Sequence, residues 1–200
     1  MQDRTTIINS ALMRCGANGI NLAFQDTPAA QAASAVWQRS LDFCLSLYPW
    51  PFAMRLMPLA RNAEGAAFGY RYAYGLPGDC VRVVDIWLHD AEGKVSALSR
   101  VQGGPRFAVA GRSVCTDAEG VALRYVSNNR DLSFPDTFAD ALSWRLCVEM
   151  APYIEQGNSV KTWFELFEQA LDRAKVEADA QDFPVMEAWP SRILQERRVD

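Results

Sequence analysis

Hydrophobic spacing along this 200-residue chain changes period twice, and that order constrains the fold more than any single motif. Apolar residues recur at helical spacing near the N-terminus, alternate in short runs through the middle, and return to helical spacing afterwards. From Asp3 to Cys15 the recurring set is Ile7, Ile8, Ala11, Leu12 and Cys15, and Gly16 supplies a stop. Asp26-Thr27-Pro28 opens a second helix, with Thr27 placed to cap it and Pro28 at its first position. Its apolar stripe is Ala29, Ala33, Val36, Trp37, Leu41, Cys44 and Leu45.

The first change of period falls in LYPWPFAMRL, Leu47 to Leu56, where a tryptophan stands between two prolines. Proline has no N–H, fixes its own φ and pushes the residue before it out of the α region, so Tyr48 and Trp50 are both driven extended. The second helix therefore ends here and the chain turns sharply. Six short segments follow, FAMRLMPLA, YRYAYGLP, CVRVVDIWL, RFAVAG, RSVCTD and VALRYV. They are rich in Val, aromatic or alternating residues and are punctuated by Gly, Pro, Asp and Asn, which predicts five or six antiparallel strands between Phe52 and Val126. A hairpin is expected from Phe107 to Thr116 around Ala110-Gly111-Arg112.

Helical spacing resumes after a start signal at Ser133 to Asp136. Phe138, Leu142, Leu146 and Met150 form one stripe, and Trp144, Val148 and Ala151 a second, as expected of a central helix. A long amphipathic helix follows, capped by Asn158 or Ser159, with Trp163, Phe167, Ala170, Leu171 and Ala174 inward. The chain is thus expected to be α+β. A helical layer is built from both ends (1–51 and 130–182), a small antiparallel β unit is inserted at 52–129, and an extended C-terminal tail runs over 183–200. Pro49, Trp50 and Pro51 would be the interdomain hinge, a stiff exit fixing the angle between the two parts; Trp50 filling a gap at the helix end is the alternative use of the same residue.

Composition narrows the function classes. Half the residues are hydrophobic and 22% are charged, enough for a real core. The longest apolar runs fall short of the roughly 18 residues a membrane span needs. The start, MQDRTTIINS, has no apolar signal core, so synthesis and retention in a cytosol without membrane association are expected. A net charge of −4 with no basic run argues against a protein that mainly grips phosphates. Five cysteines, Cys15, Cys44, Cys80, Cys115 and Cys147, lie far apart with no CxxC pair, and reduced thiols are expected.

Catalytic patterns are sparse. His89 is the sole histidine, so no second histidine can complete a usual catalytic or metal set. No P-loop, G-x-S-x-G or G-x-G-x-x-G occurs, and VQGGPRF reads as a turn. Glu149, Glu155, Glu165 and Glu168 could supply an acid and base pair for sugar hydrolysis, but Glu165 and Glu168 read as a solvated helix face. Cys147 with Glu149 reads as a core thiol. No catalytic residue, cofactor or metal is expected.

Five blocks carry a resemblance: NSALMRCG (Asn9 to Gly16), YPWPFA (Tyr48 to Ala53) followed by Leu59-Ala60, YRYAYGLPGDCVRV (Tyr70 to Val83), LRYV (Leu123 to Val126) and FADALSWRLC (Phe138 to Cys147). In this order they resemble the successive signatures of the tail tubular protein A family of tailed-bacteriophage head-to-tail adaptor, or connector, proteins. The resemblance runs from about residue 5 to 150 and fades over the last helix and tail. Pro51 stands where the family pattern would have a polar residue, and Cys15 and Cys80 where it would have aliphatic ones. The resemblance implies a structural virion protein, a ring homo-oligomer, typically dodecameric, docked beneath the portal protein. Such a ring receives tail or nozzle proteins, extends the channel for passing double-stranded DNA without sequence-specific binding, and helps retain the genome until ejection. It also implies synthesis in the host bacterial cytoplasm and a final place at the head-tail junction of the virion. Two alternatives are an adaptor-related peptidoglycan hydrolase and a cytosolic oligomeric interaction domain unrelated to virions.

The tail has apolar Trp189, Ile193 and Leu194 beside Arg192, Arg197 and Arg198, side chains suited to an assembly arm. In the resembled family such an arm would contact the portal. Deleting residues 183–200 is expected to leave thermal unfolding of the monomer nearly unchanged and to abolish stable docking to a portal ring, read by calorimetry and co-sedimentation. A truncated chain that unfolds much more readily, or docks with full affinity, would contradict this role.

Overall fold

The computed structural model describes residues 2–16, 27–62, 65–89, 104–129, 133–154 and 159–181. The tail residues Trp189, Arg192, Ile193, Leu194, Arg197 and Arg198 lie outside the described residues, as do Asp26, Glu155 and Asn158.

The chain is α+β. Helix α1 spans Arg4–Arg14; the Asp3 side chain caps it by accepting from the Thr6 N–H at 2.8 Å, and that bond holds the Asp3 carboxyl below its ordinary range. Its stop is Gly16, at φ 82°, a conformation that glycine adopts without a Cβ clash. Helix α2 spans Pro28–Leu47, with the Thr27 hydroxyl accepting from the Ala30 N–H at 3.2 Å. Helix α3 spans Asp136–Met150, and Pro135, rather than Ser133, occupies its N-cap position, where no side chain completes the cap. Helix α4 spans Val160–Gln181.

These helices form a layer around α3, which packs against α1, α2 and α4. Phe138, Leu142, Leu146 and Met150 are buried, as are Trp163, Phe167, Ala170, Leu171 and Ala174 of α4. Of the second α3 stripe, Ala151 is buried just past the helix end, while Trp144 and Val148 are half-buried at the margin of the core.

Among the described residues six strands occupy the middle of the chain: β1 Met54–Pro58, β2 Tyr72–Gly75, β3 Cys80–Leu88, β4 Phe107–Ala110, β5 Ser113–Thr116 and β6 Val121–Ser127. They form two three-stranded antiparallel sheets, β1-β6-β3 and β2-β5-β4. The β4–β5 hairpin turns at Gly111-Arg112, with Gly111 at φ 57°, the sign that the first position of such a tight turn requires.

Strand β6 explains why the β unit is not a detached lobe. Side chains alternate across a strand, so Val126 enters the helical core while Val121, Leu123 and Tyr125 enter a second core with Tyr74, Ile86 and Val114. Both faces of β6 are buried, giving a helix layer, a first sheet and a second sheet in succession. Val81 and Val84 of β3 also pack on the helical core.

A polar cluster closes one end of this arrangement. The Asp79 carboxylate accepts from the Ser127 hydroxyl at 2.5 Å and from the Tyr125 hydroxyl at 3.2 Å. Burial alone would raise Asp79, but these bonds, its own N–H and the charge of Arg55 outweigh it and hold the carboxyl below its ordinary 3.8. Burial, followed by the charge of Asp79, pushes Tyr125 up to about 12. Because Asp79 is depressed in the fold, its contribution is complete above the unfolded-state value and is lost as pH falls through the folded one. Asp79→Asn is expected to cost about 1 kcal/mol at neutral pH and to flatten the loss of stability on acidification below about pH 4, measured by urea unfolding. An unchanged acid limb in the variant would contradict the role given to this carboxylate.

Candidate functional site: the joint at the end of helix α2

The residues flagged as a hinge meet at the C-terminal end of α2. A helix leaves its last carbonyls without intrahelical donors, and this end also carries the negative pole of the helix dipole. Tyr48 (φ −148°, ψ 152°) and Trp50 (φ −60°, ψ 119°) are both extended, as the two prolines require. The Trp50 side chain then turns back, and its indole N–H donates to the Cys44 carbonyl at 2.9 Å. From the β unit, the Arg82 guanidinium donates to the Ser46 carbonyl at 2.8 Å. Two orphaned carbonyls are thereby satisfied, one by the corner itself and one by strand β3.

Packing reinforces these bonds. Trp50 is 1% exposed and sits edge-on to Phe138 of α3, with ring centroids 4.9 Å apart, and to Tyr48 at 5.2 Å. A turn of 3-10 helix over Pro51–Ala53 aims Phe52 at the same cluster, 4.9 Å from Phe138 and 6.1 Å from Phe134. Phe134 lies on the return from the β unit, where its N–H and carbonyl pair with the backbone of Gln2. Exit and return are therefore closed against one aromatic cluster. Further bonds cross the joint: Asn128 donates to Asp42 at 2.8 Å, and the Tyr48 hydroxyl donates to Asp179 of α4. The cavity beside Trp50, Phe138 and Ala178 is only about 10 Å³, room for no more than a water molecule.

Nearby charges serve packing. Glu149 of α3 accepts from Arg145 and from Arg39 of α2, while the Arg145 guanidinium stacks 4.1 Å from the centre of the Phe43 ring. At the other side of α3, Arg14 pairs with Asp140 and Ser143 and lies 4.2 Å from the Trp144 ring.

The other residues considered for chemistry are dispersed. Glu165 and Glu168 are exposed on α4, and Cys147 is fully buried in α3. His89 is half-buried: its backbone N–H donates to the Gly120 carbonyl at 2.9 Å and its ring lies close to that glycine. Among the described residues no three His, Cys, Asp or Glu side chains converge to hold a metal ion, and no helix is long and apolar enough to cross a membrane.

Surface charge is mixed on both parts: the β unit exposes Arg55, Arg61, Arg71, Arg82, Arg106 and Arg112 together with Asp117 and Glu119, and α4 exposes Glu165, Glu168 and Asp172 together with Lys161 and Arg173. The arginines of the β unit are spread through separate strands and turns, so no basic run marks them in the sequence. Arg82 and Phe134, which close the joint, were likewise missed; the signal for Phe134 was its place just before a Pro-Asp helix start.

No protein-family model matches the chain, and no curated protein matches it either.

Truncating Trp50 to Ala is expected to cost about 3–5 kcal/mol, the range for a buried aromatic. Converting Pro49 and Pro51 together to Ala is expected to cost about 1–2 kcal/mol, mainly through a freer unfolded chain. Guanidinium titrations of the two variants check the ranking; prolines costing as much as Trp50 would show that the backbone corner, not the buried indole, holds the joint.

Proposed function

We propose that this chain is a head-to-tail adaptor of a tailed-phage virion, a subunit of a ring that sits between portal and tail, extends the DNA channel and helps retain the genome. The observation that carries the proposal is that the sequence blocks resembling the tail tubular protein A family meet in space. Asn9 to Gly16 lies against Phe138 to Cys147 through Arg14, Asp140 and Ser143. Tyr48 to Ala53 joins the same helix through Trp50 and Phe138. Tyr70 to Val83 reaches α2 through Arg82, and Leu123 to Val126 enters the helical core through Val126. The blocks thus pack on one another through α3, the end of α2 and strand β6.

The acidic overall balance fits a channel that lets DNA pass without trapping it.

Size-exclusion chromatography and electron microscopy of the chain, alone and mixed with the portal protein encoded in the same genome, test the proposal. Co-elution with the portal as a closed ring is expected, with no clearing of a cell-wall substrate by the purified chain. A chain that ignores the portal ring, or that digests peptidoglycan, would overturn it.

A further inference from the structure

Two thiols far apart in sequence converge where α1 ends. Cys15 is the C-cap residue of α1, and its N–H donates to the Ala11 carbonyl at 3.0 Å. Cys147 projects from α3 onto that same oxygen, its thiol donating to the Ala11 carbonyl at 3.4 Å. One backbone atom therefore binds both residues, and the side chains lie within reach of each other. Arg14 fixes this approach, since its contacts with Asp140 and Ser143 clamp the last turn of α1 onto α3.

The two sulfurs are not equivalent. Cys15 is half-buried, while Cys147 is 0% exposed. The neighbouring Cys147 thiol lowers Cys15, and the proximity of Cys15, followed by burial, raises Cys147. A partly exposed thiol lowered by its neighbour, beside a concealed partner, is the usual arrangement of an attacking and a resolving cysteine.

We propose that Cys15 and Cys147 form a redox-modifiable pair, which a low-molecular-weight disulfide such as oxidised glutathione converts into a cross-link stapling α1 to α3. The Cys15 thiolate attacks one sulfur of the oxidant; the oxidant's S–S bond breaks, and one thiolate leaves and takes up the proton that Cys15 lost. The Cys147 sulfur then attacks the Cys15 sulfur, the S–S bond of the mixed disulfide breaks, and the departing sulfur takes up the Cys147 proton and leaves as the second thiol. Two protein thiols are oxidised and one disulfide is reduced to two thiols. The thiols stay reduced in a cytosol and become linked in an oxidising medium. This inference does not depend on the adaptor proposal.

The test uses the full chain, reduced and then exposed to oxidised glutathione under native conditions. Free thiols are expected to fall from the five in the sequence to three. The intact mass should drop by two hydrogens, and a peptide map should join the segments carrying Cys15 and Cys147. The melting temperature should rise by roughly 5–10 °C and return on reduction, because the link closes a long loop. Cys15→Ser, at a partly exposed position, should keep its four remaining thiols and its unoxidised melting temperature under the same treatment; Cys147→Ser should likewise form no link if it folds. Stable glutathione on Cys15 without a link, a link between other cysteines, or five unreacted thiols would each overturn the proposal.

Discussion

The structure depends on an indole buried at the end of a helix. Trp50 donates to the Cys44 carbonyl while its ring packs edge-on to Phe138, so one side chain satisfies the end of α2, fixes the chain's exit and ties it to the central helix. Neither part would suffice alone. A hydrogen bond contributes about 1 kcal/mol net, whereas burying the ring contributes several, and the bond decides the orientation in which the ring is buried. Because Arg82 satisfies the Ser46 carbonyl from the opposite side, the same helix end also receives the first sheet.

From this joint the rest of the arrangement follows. Strand β6 runs between β1 and β3 and is buried on both faces, so it belongs at once to the helical core through Val126 and to the second core through Leu123 and Tyr125. The β unit is inserted in sequence but shares its central strand's burial with the helices. Polar groups at its base, Asp79 with Tyr125 and Ser127, and Asn128 with Asp42, are paired rather than left unsatisfied where the layers meet.

Much of this was legible in the sequence because it is local. Thr27-Pro28, Gly16 and the tyrosine-proline-tryptophan-proline run act through caps and dihedral restrictions that need no partner, and the apolar stripes of α3 and α4 report burial directly. The splitting of six strands into two sheets was not legible, since antiparallel pairing depends on which distant strand is chosen; β6 pairs with β1 and β3 rather than with its neighbour β5. Nor was the convergence of Cys15 and Cys147 on Ala11, which packing between α1 and α3 produces. The candidate site was half visible. The prolines marked the corner, but the arginine and phenylalanines that close it come from residues 82 to 138, and only the fold assembles them.

The proposed adaptor role, in which two differently oriented surfaces are held in fixed relation, has a use for such a joint, whereas a loosely tethered β unit would not transmit position from one neighbour to another. With Trp50 as the lock, helices and first sheet form one cooperative body. Native-state hydrogen exchange, followed by NMR across low denaturant concentrations, tests it most directly. The Trp50 indole N–H, the amides of β6 and the amides of α3 are expected to exchange with a common free energy equal to that of global unfolding. An indole proton or β6 amides that exchange through a distinctly lower-energy opening, while α3 stays protected, would contradict it.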